Sequence, residues 1–294
     1  SQAISIAASG DLTANAGNIG GAVTNAGDLI LNGGTLTKAV TGAGTTSITG
    51  AVTANSAISQ TISISSSGDL TANAGNIGGA VTNAGDLILT GGTLSKSVSG
   101  AGLTTITGNT TNSAGINQGV KVNSGITLTN NAALGSASGS VTNAGTINSS
   151  ADNIKGTVSN TGSLNLSGGT LSKAVSGSGK TTITGNTTNS GGINQGVTVN
   201  SGVTLTNNAA LGSDSGTITN SGTINTSASN IKGAVTNNNT LNLSGGTLSK
   251  AVSGSGTTNI TGAVTSNSAI SQAINVVAAG DLTINANNIG GAVT

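Results

Sequence analysis

The chain has 294 residues and a mass of 27.4 kDa, with 49 Gly, eight Lys, seven Asp and a net charge of +1; it contains no Pro, Cys, Met, His, Arg, Glu or aromatic residue. Without Cys there is no disulfide frame and no thiolate to act as nucleophile or metal ligand, and without His or Glu most acid–base catalysis near neutral pH lacks its usual groups. The small net charge and the missing aromatics exclude a polyanion-binding surface and a base-stacking platform, so no nucleic-acid partner is expected.

Apolar runs extend for only a few residues, short of the ~20 that a membrane-spanning helix needs, and no membrane insertion is expected of this segment. Disorder is disfavoured too, because disordered chains combine low hydrophobicity with high net charge, whereas here the apolar residues recur at regular steps. Gly-Gly-Thr-Leu begins at Gly33, Gly91, Gly168 and Gly245, at steps of 58, 77 and 77. The two step sizes differ by 19, which points to a smaller unit of that length.

Taken along the chain, that unit is anchored at Ile19, Leu36, Ile58, Ile77, Leu94, Ile116, Leu134 and Ile154, and then at Leu171, Ile193, Leu211, Ile231, Leu248, Ile270 and Ile289. These 15 anchors have a mean step of ~19 residues. In 13 units a Val or Ile follows four residues later, as at Val23, Val40 and Ile62; after Leu134 and Leu211 the gap to Val141 and Ile218 is seven. A third apolar column, beginning Leu12, Leu29, Ile48 and Leu70, precedes each anchor at a distance of seven, eight or ten. The gap from the Val column to the next unit is always six or eight, an even change that keeps each residue on its face of a strand.

Stretches such as Leu29-Ile30-Leu31, Ile126-Thr127-Leu128 and Leu164-Asn165-Leu166 read as strands of period two. Between them, Thr24-Asn25-Ala26-Gly27 and Asn32-Gly33-Gly34 are turn chemistry. The expected fold is all-β: a right-handed parallel β-helix (β-solenoid) of about 15 coils of ~19 residues, with three short strands per coil. Ile, Leu and Val then stack along the axis, and Asn25, Asn83, Asn143, Asn160, Asn220 and Asn237 are expected to form side-chain amide ladders at the turns. Residues 1–24 and 271–294 are near copies, both closing on Gly-Gly-Ala-Val-Thr. This predicts one continuous solenoid over 1–294, a window from a longer repeat array with no polar cap at either end.

Few residues have the makings of a site. Asp11, Asp28, Asp69, Asp86 and Asp281 share one register, eight residues before the anchor. Asp11/Asp28 and Asp69/Asp86 fall in adjacent coils and are the weak candidates for a hard cation such as Ca²⁺. The alternative reading, which we favour, is an exposed turn Asp in a place where other coils use Thr or Ser, and no metal or other cofactor is expected. Lys38, Lys96, Lys173 and Lys250 follow the anchor by two, where Gly21, Gln60 and Gln118 stand elsewhere. That exchange of Lys, Gln and Gly predicts a solvent-facing corner, with Lys155 and Lys232 one residue earlier at the same place. Thr45-Thr46-Ser47-Ile48-Thr49 and Thr181-Thr182-Ile183-Thr184 raise ice binding, which needs a regular Thr-x-Thr on every coil of one face. Asn109, Asn165 and Asn186 begin N-glycosylation sequons, a match that chance supplies in so Asn- and Thr-rich a chain. No catalytic residue is expected and the chain is not read as an enzyme, because no pair of charges recurs as a cluster.

Over nearly its whole length the chain resembles the passenger-type β-solenoid repeats of bacterial surface adhesins, the autotransporter and filamentous-haemagglutinin-like group. The likeness is carried by Val-Thr-Asn-Ala-Gly-Asp-Leu-Ile-Leu at Val23 to Leu31 and Val81 to Leu89. It recurs as Val-Ser-Asn-Thr-Gly-Ser-Leu-Asn-Leu at Val158 to Leu166, followed by Ser-Gly-Gly-Thr-Leu. The resemblance implies export, an extracellular or cell-surface location, and a stalk or fibre role. Partners expected on this reading are copies of the chain, end to end or side by side, or further repeats, with a glycan or host surface as a further partner. The alternative reading is a binding module with one face for glycans or ice.

Overall fold

The computed structural model describes residues 2–285 and 289–294; Ser1, the first residue of the N-terminal near-copy, lies outside them. The fold is an all-β parallel β-solenoid of about 17 turns, 53% strand and 4% helical. It resolves into two compact units, Ser1–Ile147 with Lys155–Thr157, and Asn148–Ile154 with Val158–Thr294. Each is built on the same plan.

In the first unit one inward stack runs Leu12, Leu29, Thr46, Ile62, Val81, Val98, Ile116, Leu134, each residue the parallel partner of the next. Its shortest circuit is Thr46 to Ile62 and its longest Ile62 to Val81. A second stack runs Val52, Leu70, Leu87, Thr104, Val120, Val141, and a third runs Ile4, Val23, Val40, Ile58, Ile77. The second unit repeats the plan, with one stack through Leu164, Thr181, Val197, Ile218, Val235, Val252, Ile270 and Ile289. Another of its stacks passes through Thr187, Leu205, Ile224, Leu241, Thr258, Ile274 and Val293. Most strands alternate: Asp28–Leu31 buries Leu29 and Leu31 completely while Asp28 is exposed. The core is built from aliphatic side chains and a minority of polar ones, Thr, Asn, Ser and Gln.

The turn is shorter than the spacing of the sequence anchors, and the difference has a structural cause. Thr46 and Thr104 are equivalent in sequence, one repeat apart, yet Thr46 lies in the first stack and Thr104 in the second. That repeat therefore spans three turns and a third. In the second unit Thr181 and Thr258, equivalent across the longer repeat, also lie in different stacks, so that step spans four turns and a third. The longest anchor steps, such as Leu36 to Ile58, hide this extra third of a turn. Leu36 does not lie under Ile58: Leu36 pairs with Ala54, and Ile58 pairs with Val40. The 15 coils expected from the anchors are thus about 17 shorter turns.

Turn lengths vary at the corners. The shortest turns, Thr46 to Ile62 and Thr104 to Val120, run straight across one corner; the strand Ile116–Val122 points Ile116, Gln118, Val120 and Val122 inward without a break. The longer turn that follows, Val120 to Val141, carries an outward loop. In it Ser136 N donates to Gly139 O at 3.0 Å and Gly139 N to Ser136 Oγ at 2.8 Å. Other corners bend sharply through glycine. Gly100 has φ +127°, and a Cβ there would lie 2.1 Å from the carbonyl oxygen of Asn83. Gly125 has φ +75° with nothing within 4 Å of an added Cβ.

These two glycines give a paired prediction. Gly125→Asn should cost no more than about 1 kcal/mol, since Asn tolerates the left-handed region. Gly100→Ala must displace backbone and should cost at least about 3 kcal/mol. Urea denaturation of the two variants reads the difference directly, and equal costs would contradict the corner geometry.

Candidate functional site

The carboxylates stack as their spacing predicts, but only in pairs. Asp11 is the register partner of Asp28 and Asp69 that of Asp86. Beyond each pair the ladder continues into Thr45, Ala51 and Leu103. All four Asp are exposed, as is Asp281, which pairs with Ala263. Two carboxylates supply at most four oxygens, where Ca²⁺ takes six to eight. Among the described residues no group of three or more potential metal ligands converges.

The lysines do not form a row. Lys38 sits on the corner between Leu36 and Val40, and Lys96 on the corner between Leu94 and Val98. Val40 belongs to the third stack of the first unit and Val98 to the first, so the two corners differ. Within each unit the third-of-a-turn advance carries a repeated feature to the next side. In the second unit Lys250 forms an ion pair with the exposed Asp214 on the outward loop two turns earlier. The hydrogen bond from Lys250, and then its charge, hold the Asp214 carboxyl below its ordinary range. A depressed carboxylate pKa adds stability above the ordinary carboxylate range and loses it as pH falls through the depressed value. At so exposed a site the contribution is small.

Gln60 and Gln118 do not belong to a solvent-facing corner. They are 4% and 1% exposed, and Gln195 and Gln272 are equally buried at 1% and 4%. Each donates its side-chain amide to a buried Thr hydroxyl: Gln60 to Thr46 at 2.6 Å, Gln118 to Thr104 at 2.8 Å, Gln195 to Thr181 at 2.7 Å and Gln272 to Thr258 at 2.5 Å. The pairing falls where a short turn straightens the corner and leaves interior space for a longer side chain. A signal was present: apart from Gln2, these are the only Gln in the chain, and they recur at 58, 77 and 77.

Asparagine is used in three ways. Asn25, Asn83 and Asn160 clamp the backbone of the next turn, donating to Thr45 O, Leu103 O and Lys180 O at 3.0 to 3.2 Å. Asn220 and Asn237 form the expected buried amide ladder at 2.7 Å, and Asn112 with Asn130 at 2.7 Å and Asn189 with Asn207 at 2.6 Å form further ones that the spacing did not predict. Exposed Asn109 and Asn186 accept the strand N–H of Thr127 and Thr204 through their side-chain oxygens, and Asn165 donates to Asn148. The ice-binding pattern does not form: Thr46 and Thr181 are fully buried. The outward file Thr182, Thr198, Thr219, Thr236 is single and passes into Ser253.

One concavity stands out in the second unit, a groove of about 630 Å³ whose lining includes Asn225, Asn242, Asn259, Asn275 and Ser244 and no charged side chain. The chain matches no protein-family model, and comparison with curated proteins and with solved structures finds no similar protein.

The Gln–Thr pair is testable as a unit. Removing one partner strands a buried polar group, at about 1–3 kcal/mol, whereas removing both relieves part of that cost. A double-mutant cycle over Thr104→Val and Gln118→Met, followed by urea denaturation, should give a coupling of about 1 kcal/mol. Strict additivity would show that the bond contributes nothing.

Proposed function

We propose that this protein is a structural repeat protein of the cell surface or extracellular space, forming a stiff stalk, fibre or sheath and carrying out no catalysis. The observation that carries the reading is the contrast between core and surface. Within each unit the buried stacks continue from turn to turn, whereas charged groups stack no further than a pair. A largely aliphatic core laced by parallel ladder hydrogen bonds resists local opening and therefore proteolysis. The likeness of Val23 to Leu31 and its repeats to the passenger repeats of autotransporter and filamentous-haemagglutinin-like adhesins supports export and surface location.

With a net charge of +1, little electrostatic repulsion keeps copies apart. The partners on this reading are copies of the same chain, associating laterally or end to end. Light scattering and electron microscopy of the purified chain at low salt should show assemblies that grow with protein concentration, and the folded chain should withstand proteinase K. A species that stays monomeric at high concentration would sink the assembly reading, and rapid cleavage throughout would sink the stiff scaffold.

A further inference from the structure

The groove in the second unit differs chemically from the rest of the surface. Its floor is a ladder of four amides on consecutive turns: Asn225, Asn242, Asn259 and Asn275 are register partners. Asn242 Nδ2 donates to Asn225 Oδ1 at 2.6 Å, Asn259 Nδ2 to Asn242 Oδ1 at 2.7 Å, and Asn275 Nδ2 to Asn259 Oδ1 at 3.2 Å. An Asn amide has two N–H groups and two carbonyl lone pairs. The ladder uses one of each at its middle rungs and leaves the others for a ligand.

Beside the amides, two residues further along on three of these turns, stand Ser227, Ser244 and Thr261, with Val277 on the fourth. Ser227, Ser244 and Thr261 donate their hydroxyl protons to the carbonyls of Gly245, Thr226 and Leu243 at 2.9, 3.3 and 3.1 Å. Their oxygens are then left to the groove as acceptors. The amide file both donates and accepts, the hydroxyl file beside it accepts, and the rungs repeat every ~4.8 Å. The strand backbones beneath pair with the turns before and after, so an incoming peptide strand finds no free edge along this face.

We propose that this groove binds an extended, uncharged polysaccharide lying along the stack of turns, its hydroxyls exchanging hydrogen bonds with the amide ladder and with the Ser/Thr oxygens beside it. A sugar hydroxyl is both donor and acceptor, which suits the two files together, and the uncharged lining offers nothing to an acidic or basic polymer. With no aromatic for a sugar ring to stack on, affinity per site is modest, with Kd of about millimolar order. The inference is independent of the structural role, which stands whether or not the groove is occupied.

Isothermal titration of the whole chain with cellohexaose, laminarihexaose and chitohexaose tests it. At least one hexasaccharide should bind. Asn242→Leu with Asn259→Leu should weaken that binding by about tenfold or more, the loss of several hydrogen bonds of ordinary strength. Thr219→Val, in a different stack, should leave it unchanged. Should the ladder variant fail to fold, Ser244→Ala with Thr261→Val in the hydroxyl file gives the same test, with an expected loss of at least severalfold. Absence of binding by all three sugars, or equal binding by a folded groove variant and the parent chain, would overturn the proposal.

Discussion

The parallel hydrogen-bond ladder between successive turns sets everything else in this protein. A strand can pair with the next turn only when the chain returns to the same side, so each circuit must hold three short strands and their corners. The short circuit from Thr104 to Val120 and the long one from Val120 to Val141 both meet that condition, whatever the period of the sequence. Within each unit the sequence repeat, Gln60 to Gln118 in the first and Gln195 to Gln272 in the second, does not fill a whole number of circuits, and the surplus third of a turn moves the feature to the next side. A sharp glycine corner and the Gln–Thr pair one turn later recur as a set, and the outward loop accompanies the pair at Gln118 and at Gln195.

Much of this was legible in the residues. The apolar columns predicted parallel strands of period two around aliphatic stacks, and the Asp register predicted the stacking of Asp11 on Asp28 and Asp69 on Asp86; the buried Thr and Gln of the interior were not expected. The number of turns was not legible, because Ile58 is as good an apolar anchor as Leu36 and nothing in their identity says that one faces a different side. The same confusion put Gln60 and Gln118 on an exposed corner with the lysines. Sequence spacing aligned them with Lys38, but their corner is straightened and turns the side chain inward. Asparagine was half legible: its place at the turns was expected, whereas its second bond to a backbone carbonyl, as from Asn220 to Thr240 and from Asn112 to Ala133, was not.

The surface follows from the same constraint. Since repeated features migrate around the solenoid within each unit, charged groups among the described residues stack no further than a pair. Polar side chains build a continuous ladder only where several turns in succession keep the same residue, as at Asn225 to Asn275. Continuous buried stacks and a local polar groove are therefore compatible products of one architecture.

The central claim, that the chain closes a turn from Thr35 to Thr53 and not over the longer anchor step from Leu36 to Ile58, can be tested by cross-linking, because the chain has no Cys of its own. Thr35 and Thr53 are direct partners on adjacent turns, within the Cα separation a disulfide spans. Thr35 and Ala57 are separated by that longer step and lie on different sides. The Thr35→Cys/Thr53→Cys variant should oxidise to an intramolecular disulfide in the folded state, and Thr35→Cys/Ala57→Cys should not. The reverse outcome would contradict the register on which the fold rests.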